Sequence, residues 1–217
     1  MSYVTREIAL ASLKKMTDFH GELTDLYNSH EMDLLQDLGR RNILMSSLQE
    51  KCFAKELSKK FPKAVSDGKS GQPDIIIPEL EKELECKLTS RHRSGSWGFH
   101  TDYATLKAKS SLDYLYVLAS ADFESFAVLH FEGLTVDEFR PVSPGSRGKV
   151  AMYKHRGMPR CNVLVGEAKD MSSEQLEKIR TRLAANPTPA KKRKLLASKL
   201  YWEEQPTKYS FVLEKIH

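Results

Sequence analysis

Two kinds of sequence periodicity predict a protein of the α/β (α+β) class. Apolar residues recur at helical spacing over residues 5–27, 32–60 and 172–185, which indicates helices with one buried stripe. Between residues 75 and 131, short runs of β-branched, aromatic or alternating residues are typical of strands. A chain of 217 residues can bury an adequate core, so we expect one domain over residues 1–217, or one domain with a small appendage.

The first 39 residues are expected to form a helical N-terminal element. Gly39 is the expected break in the helical pattern, because glycine weakens a helix interior. This element is a candidate for dimerisation or for covering the core. A core over residues 40–139 and a basic portion over residues 140–217 are expected to follow.

A β-hairpin is predicted next. Three consecutive isoleucines at 75–77 indicate a strand, and Pro73 stands where a strand can begin without losing a ladder hydrogen bond. Pro78 and the charged residues after it predict the connection. A short strand at residues 63–67 is expected to precede the hairpin.

The returning strand of the hairpin alternates charged and apolar residues. Because successive side chains of a strand point to opposite faces, Glu85 and Lys87 are expected to share one face. Leu84, Cys86 and Leu88 are then expected to enter the core.

Two carboxylates and a lysine in this hairpin suit a magnesium site that cleaves phosphodiesters. Mg²⁺ takes oxygen ligands, which Asp74 and Glu85 supply, and the backbone carbonyl of Cys86 is a candidate third ligand. Bound metal lowers the pKa of water and neutralises charge on a phosphate. Lys87 is placed to orient or deprotonate that water, or to stabilise charge in the transition state.

The alternative interpretation of these residues is a charged amphipathic hairpin with a solvated outer face. Three features of the context favour the metal site. The two halves of the motif fall on adjacent predicted strands, a helical segment precedes them, and a basic stretch with aromatic residues follows.

This arrangement resembles the PD-(D/E)xK nuclease superfamily, and within it the type II restriction endonucleases. The likeness is carried by Pro73-Asp74 and Glu85-x-Lys87, and extends more loosely over residues 40–132 as helix, strand, strand, strand, helix, strand. The resemblance implies a restriction-endonuclease-like core, a central mixed β-sheet flanked by helices, and metal-dependent hydrolysis of DNA.

The resemblance also implies roles for particular residues. Asp74 and Glu85 match the metal-binding positions, and Lys87 matches the catalytic lysine. Many relatives carry a further acidic residue on the helix before the hairpin. Glu50 is the first candidate for that position and Glu56 is the reserve, with an ordinary solvated helix glutamate as the alternative.

Later segments complete the predicted order of elements. Residues 102–111 are expected to be helical, and residues 114–118 and 126–131 are expected to form adjacent core strands. In the helix predicted over 172–185, Ser172 is the expected N-cap, with Gln175 three residues later and Asn186-Pro187 as the stop. Residues 208–216 alternate as a final strand.

Charge is distributed unevenly along the chain. Residues 1–139 hold 17 Lys and Arg against 22 Asp and Glu, whereas residues 140–217 hold 17 against 7. Basic surface binds the phosphate backbone without regard to sequence, so the second portion predicts contact with nucleic acid. The densest cluster, Lys191-Lys192-Arg193-Lys194, begins a new element or lies on an exposed arm; a solvated helix end is the alternative.

Three further segments are candidates for contact with DNA. The segment after the returning strand mixes guanidinium groups, hydroxyls and aromatic rings; its candidate residues are Arg91, His92, Arg93, Ser94, Ser96, Trp97 and His100. A linker, with ordinary surface histidines, is the alternative. The second segment is the loop over residues 144–149. The third is Lys154-His155-Arg156, a candidate turn for groove contact or else plain surface.

Several classes of protein are disfavoured. Residues 144–149 lack the GxxxxGK[ST] spacing, so no nucleotide cofactor is expected. Three cysteines without CxxC spacing argue against a zinc ribbon and suit a reducing cytoplasm. The sequence shows no membrane span and no signal peptide at its start, so we expect a soluble cytoplasmic protein without a membrane partner.

These observations predict a Mg²⁺-dependent endonuclease of double-stranded DNA, for which Mn²⁺ can substitute as the metal. The expected protein is a sequence-specific type II restriction enzyme acting as a homodimer, so that both strands are cut. One alternative is a repair or junction-resolving nuclease of the same superfamily. The other is a non-catalytic DNA-binding protein in which Asp74, Glu85 and Lys87 form a surface salt-bridge cluster.

Overall fold

The computed structural model of the chain describes residues 2–66, 72–92, 95–145 and 148–216. The chain divides into two compact units, one formed by Met1–Glu167 with Leu213–His217 and the other by Ala168–Val212. The first unit holds a mixed β-sheet with helices packed on it, and this confirms the predicted α/β (α+β) class. The boundary between the compact units lies at residues 167/168, whereas the boundary expected from charge lies at 139/140.

The first unit contains four of the helices of the described chain: α1 (Arg6–Ser29), α2 (Leu38–Ser58), α3 (Tyr103–Lys109) and α4 (Lys154–Gly157). The first two confirm the long helices predicted near the start of the chain. The predicted break at Gly39 is wrong, because the helical pattern is interrupted at residues 30–37 instead. Asp37 caps α2 by accepting a hydrogen bond from the Arg40 amide (3.0 Å), so Gly39 lies inside the first turn.

The described strands are β1 (Ile75–Ile77), β2 (Lys82–Ser90), β3 (His100–Asp102), β4 (Leu112–Ala119), β5 (Ser125–Leu134), β6 (Lys149–Ala151), β7 (Cys161–Val165), β8 (Glu167–Asp170), β9 (Tyr209–Val212) and β10 (Glu214–Lys215). The main sheet has the order β1-β2-β4-β5-β10, and β7 also pairs with β5. Strands β2 and β4 are parallel and the other pairs are antiparallel, so the sheet is mixed. Strands β3 and β6 form a separate ribbon.

The predicted hairpin is present as β1 and β2. Its register pairs Ile75 with Leu84 and Ile77 with Lys82, and a 3-10 turn over Pro78–Leu80 connects the strands. The short strand expected at residues 63–67 is reduced, in the described part of that segment, to a single bridge between Val65 and Ile76.

Both faces of the main sheet are covered, which explains why all eight residues of β4 are buried. On one face, Leu84, Cys86 and Leu115 belong to a core shared with buried residues of α1 and α2 such as Leu13 and Phe53. On the other face, aromatic rings pack together: Phe99, Tyr114, Tyr116, Phe131 and Phe139.

The β3–β6 ribbon lies on the aromatic face of the sheet. Thr101 bonds the hydroxyl of Tyr114 (2.9 Å), and Tyr116 donates its hydroxyl to the carbonyl of His100 (3.0 Å). Because Tyr114 and Tyr116 pair in register with Glu85 and Lys87, the ribbon lies on the same face as that charged pair.

The second unit contains α5 (Met171–Ala184), α6 (Pro189–Glu204) and most of the β8–β9 pair. The predicted cap at Ser172 is wrong. Asp170 caps α5 through the amide of Ser173 (2.9 Å), while the Ser172 hydroxyl is buried and accepts a hydrogen bond from the Lys208 amide (3.0 Å).

The final strand predicted over 208–216 is split in the structure. Residues Tyr209–Val212 pair with β8, whereas Glu214–Lys215 pair with β5, so the two parts belong to different sheets. None of the helices within the described ranges combines the length and the apolar character that a membrane crossing requires.

Candidate metal and active site

The candidate site lies where the β1–β2 ladder ends. The last pair in register is Ile75 with Leu84, so Asp74 stands just before β1 and Glu85 just beyond the paired part of β2. The Asp74 carboxylate accepts a hydrogen bond from the Cys86 amide (2.7 Å). A side chain thus replaces the backbone acceptor that a longer β1 would offer, and this brings the carboxylate to the open edge of β2.

Cys86 presents its backbone to this site and its side chain to the core. The amide and carbonyl of one strand residue point to the same edge of the strand, so the Cys86 carbonyl faces the same edge as the amide that Asp74 accepts from. The thiol is buried among the core residues, and burial raises its pKa well above the usual range. The structure therefore leaves the carbonyl as the candidate ligand atom of this residue, as the sequence predicts.

Glu85 and Lys87 lie on one face of β2 and form an ion pair. The Lys87 ammonium is 2.5 Å from Glu85 Oε1, and the two side chains, Lys87 and Glu85, are 31% and 13% exposed. Burial alone would lower the pKa of Lys87, but the adjoining Glu85 carboxylate and the nearby Asp74 raise it above its ordinary value. Lys87 is therefore charged at neutral pH, which favours charge stabilisation over proton abstraction.

Glu50, on α2, belongs electrostatically to the same group. Burial and the Asp74 carboxylate raise the pKa of Glu50 to about 7, with Glu85 adding to the rise and Lys87 opposing it. The reserve candidate, Glu56, is engaged elsewhere, since it pairs with Lys15 and with Lys59 (2.6 Å). Of the two glutamates considered from the sequence, the structure brings Glu50 toward Asp74.

The pKa of Asp74 is raised in the same way as that of Glu50. Burial and the Glu85 carboxylate raise the pKa of Asp74 to about 6, although Lys87 and the hydrogen bond from the Cys86 amide act in the opposite direction. Three carboxylates and one ammonium therefore share a partly buried region. This surplus of negative charge is what a divalent cation would relieve.

The donor set is small for a divalent cation. Within the described ranges, no three His, Cys, Asp or Glu side chains stand together at ligand distance. Glu85 is turned to Lys87, and Asp74 to the Cys86 amide. Mg²⁺ nevertheless keeps several waters and is held by one or two carboxylates. Asp74, Glu85 and the Cys86 carbonyl fit that smaller requirement.

A cleft begins beside Lys87 on the aromatic face of the sheet. Its volume is about 270 Å³, and Lys87, Thr89, His100, Tyr116 and Lys149 are among its lining residues. The residues of β2 that reach it, Lys87 and Thr89, have the same side-chain direction as Glu85. A polymeric ligand that passes the candidate metal ligands can therefore continue into this cleft.

The segment after β2 folds into a turn. The His92 amide donates to the Ser96 carbonyl (2.9 Å), and exposed Arg91 donates through Nε to the Gly95 carbonyl (2.8 Å). Ser96 is exposed, and the exposed residue His100 lines the cleft. Arg93 and Ser94 lie outside the described residues.

Trp97 differs from its neighbours in this segment because it is 8% exposed. Its ring lies in the packed interior and not at a surface where DNA would meet it. Two apolar rings of the segment, Trp97 and Phe99, thus serve to pack it against the protein.

The candidate turn at residues 154–156 is the short helix α4. Lys154 is half-buried with its ammonium 5.4 Å from the centre of the Phe99 ring, and burial lowers its pKa. Arg156 lies over the Tyr153 ring (4.7 Å) and donates to the Asp137 carbonyl (2.9 Å), and the His155 ring tilts against Tyr153 (5.7 Å). These interactions hold the three basic side chains against the first unit.

The basic cluster of the second unit lies at the start of α6. Lys191, Lys192, Arg193 and Lys194 are all exposed. The cluster therefore begins a new element, as predicted, and its exposed side chains also fit the alternative of a solvated helix end.

Arg140 lies near the cleft and was not singled out by sequence reasoning. Lys149 belongs to the loop over residues 144–149, a candidate for contact with DNA, and Tyr153 begins the candidate turn that contains Lys154. The alternation of charged Lys149 with apolar Val150 is a signal of a strand edge that would have placed it on a surface.

Comparison of the chain with protein-family models, with curated proteins and with solved structures finds no match.

Proposed function

We propose that this protein is a Mg²⁺-dependent endonuclease of double-stranded DNA. The observation that carries the proposal is the Asp74 carboxylate held on the Cys86 amide beside the Glu85–Lys87 ion pair, with more negative charge than the single ammonium balances. Glu50 on α2 adds to that charge, since Asp74 raises its pKa. The likeness of Pro73-Asp74 and Glu85-x-Lys87 to the PD-(D/E)xK motif supports the same chemistry.

Each residue has a distinct part in the proposed reaction. Asp74, Glu85 and the Cys86 carbonyl hold the metal, which when bound lowers the pKa of a coordinated water and neutralises charge on the phosphate. Lys87 holds its proton and places a positive charge beside the reacting phosphate. Glu50 orients the groups around it and tunes the charge of the site.

Within this class, we propose a sequence-specific enzyme of the type II restriction kind that works as a homodimer. The chain extends beyond the hairpin and its neighbours by the α1–α2 helices and by a separate basic unit, which offer surface for recognition and pairing. A repair or junction-resolving nuclease is the alternative within the same chemistry.

A second candidate function is supported by a specific observation. Lys87 is already paired with Glu85 at 2.5 Å, and no three-residue ligand group stands ready in the described ranges. Such a pair suits a protein that binds DNA without cutting it, with the charged residues as a surface cluster.

One assay separates these candidates. The protein is incubated with a supercoiled plasmid in Mg²⁺, in Mn²⁺, in Ca²⁺ and in EDTA. Discrete reproducible fragments in Mg²⁺ support a restriction enzyme, while a smear or nicking supports the repair or junction-resolving alternative. A mobility shift without cleavage under any divalent ion supports the DNA-binding protein and excludes the nuclease.

A further inference from the structure

The β3–β6 ribbon alternates between an inner and an outer row of side chains. Thr101 and Val150 face inward and are 4% and 3% exposed. His100, Asp102 and Lys149 lie at the intervening positions and are exposed. The register sets Asp102 opposite Lys149, so the outer row of the ribbon is a polar surface above the aromatic face of the sheet.

Two neighbouring chambers share the outer row of this ribbon. The first, about 270 Å³, begins at Lys87. The second, about 710 Å³, is lined by Arg140, Ser143 and Tyr153. His100 and Lys149 line both chambers, so the two chambers adjoin at the ribbon, between the candidate catalytic lysine and Arg140; together they are called the cleft.

Two cations of this cleft, Lys149 and Arg140, differ from Lys87, which pairs with Glu85, and from other lysines of the unit. Lys14 pairs with Asp18, Lys82 with Asp113, Lys109 with Glu83 and Lys215 with Glu124. Among the described residues, neither Lys149 nor Arg140 forms such a pair. The carboxylate of the lining, Asp102, accepts hydrogen bonds from Thr105 at the start of α3. With the charge of Asp102 counted, Lys149 and Arg140 still leave these linings with net positive charge, which fits an anionic ligand.

Two features shape the cleft for a flat or extended ligand. A Cβ at Gly98 would lie 2.5 Å from the His100 ring and 2.9 Å from His92 Nε2, so glycine is what lets both imidazoles approach there. At the far end, the Arg140 guanidinium lies over the Tyr153 ring (5.6 Å). Guanidinium planes and aromatic rings are surfaces on which nucleobases stack.

We infer that this cleft binds the sugar–phosphate backbone of one DNA strand next to the phosphate that is cut, with Lys149 and His100 on the first phosphate beyond it and Arg140 at the following nucleotide. The inference rests on the proposed function for the position of the cut. The binding part does not depend on cleavage, because the cleft residues lie outside the candidate metal ligands.

The test measures binding and cleavage separately. Lys149→Ala and Arg140→Ala are compared with Lys14→Ala and Arg40→Ala, matched surface variants whose parent residues are paired with carboxylates. Binding of a fluorescent duplex is followed by anisotropy in EDTA across a salt series. Each cleft variant should bind about tenfold more weakly, and its log–log salt slope should fall by about 0.9 for each phosphate that is no longer neutralised. The controls should match the wild type.

The kinetic readout separates positioning from general damage. Each cleft variant should raise KM about tenfold and leave kcat within about twofold, because the replaced side chain binds the ground state and the transition state equally. Unchanged thermal denaturation shows that the variants are folded. Wild-type binding and salt slope in both cleft variants would overturn the inference and leave the nuclease proposal standing.

Two further outcomes are decisive. In the first, the wild-type protein binds the duplex without ever cleaving it, and the Lys149→Ala and Arg140→Ala variants lose that binding. The cleft inference then holds and the nuclease proposal fails. Competition distinguishes a strand from free phosphate: a trinucleotide should displace the duplex at a far lower concentration than inorganic phosphate. Equal displacement by both would contradict the assignment to a DNA strand.

Discussion

Two of the lysine–carboxylate groups that involve strand β2 differ in how fully their charges are balanced. Near its start, Lys82 pairs with Asp113 (3.0 Å), and Asp113 also accepts hydrogen bonds from Tyr3 (3.0 Å) and from the Gly133 amide (2.7 Å). Near its middle, Lys87 pairs with Glu85 (2.5 Å), while Asp74 adds a further carboxylate. The charges of the Lys82–Asp113 group are balanced, whereas the Lys87 group has excess negative charge.

The contrast separates a structural cluster from a candidate reactive one. The carboxylate of Asp113, 4% exposed, has donors on both oxygens, so it joins the sheet to the residues before α1. Asp74 and Glu50 instead lie in a crowd of carboxylates, and the pKa of each is raised by burial and by a neighbouring negative charge. Crowded carboxylates of this kind are unfavourable for folding alone and are typical of sites that receive a cation.

The largest expected effect is on cleavage by variants of the group around Lys87, which has excess negative charge. Asp74→Ala and Glu85→Ala should each reduce cleavage by about 1,000-fold or more, because the metal loses a ligand. Duplex binding in EDTA should persist or tighten, since a carboxylate that repels phosphate is removed. Plasmid cleavage and anisotropy measure the two effects. Near-normal cleavage by either variant would contradict the assignment of the Lys87 group as reactive and the Lys82 group as structural.

Replacement of Lys87 should have the next largest effect. Lys87→Ala should slow single-turnover cleavage by roughly 100- to 1,000-fold, since a cation beside the reacting phosphate contributes a few kcal/mol. Lys87→Arg should recover only part of this rate, because a planar guanidinium does not replace a compact ammonium. The matched control, Lys82→Arg, changes the balanced pair and should cleave normally. A fully active Lys87→Arg enzyme would mean that the lysine only positions DNA.

Substitution in the balanced Lys82–Asp113 group should change the stability of the protein and not its cleavage activity. Asp113→Asn should lower the free energy of unfolding by about 2–4 kcal/mol, because it breaks a buried ion pair and its hydrogen bonds. Urea denaturation measures this loss. Folded Asp113→Asn protein should cleave DNA at the wild-type rate, and a specific loss of kcat would place Asp113 in the reaction.

The smallest expected effect is the pH dependence of stability. The folded-state pKa values of Glu50 (about 7) and Asp74 (about 6) lie above their ordinary values, so the folded state binds more protons than the unfolded chain. The stabilisation from these groups is present at low pH and is lost as pH rises through their folded pKa values. Without metal, Glu50→Gln should therefore gain about 1 kcal/mol relative to wild type between about pH 5 and pH 8, after allowance for solvent screening.

Comparison of the wild type with Glu50→Gln also cancels the contributions of other titrating groups to the pH dependence of stability. Burial lowers the pKa of His130 to about 4, so His130 makes the protein less stable as pH falls below its unfolded pKa. Wild type and variant share this effect, and it cancels in their difference. Mg²⁺ should stabilise the wild type more at pH 8 than at pH 5, because it binds the ionised carboxylates. A difference independent of pH would show that the pKa of Glu50 is not raised in the folded state.

The sequence by itself determined the local features of the site. The two-residue alternation of β2 places Glu85 and Lys87 on one face and sends the Cys86 side chain to the core, as the structure confirms. Pro78 and the charged residues after it end β1 and start the connection. These features depend on neighbours within a few residues, so periodicity and turn chemistry suffice to predict them.

The tertiary structure alone decided which distant residues meet. Glu50 and Glu56 lie on different faces of one helix. Only the packing of α2 brings Glu50 near enough to Asp74 for its pKa to be raised, while Glu56 pairs with lysines. Pairing of β3 with β6 brings Lys149 into the cleft that Lys87 begins. Local periodicity carries no information on such contacts, because they depend on strand order, register and helix packing between segments that are far apart in the chain.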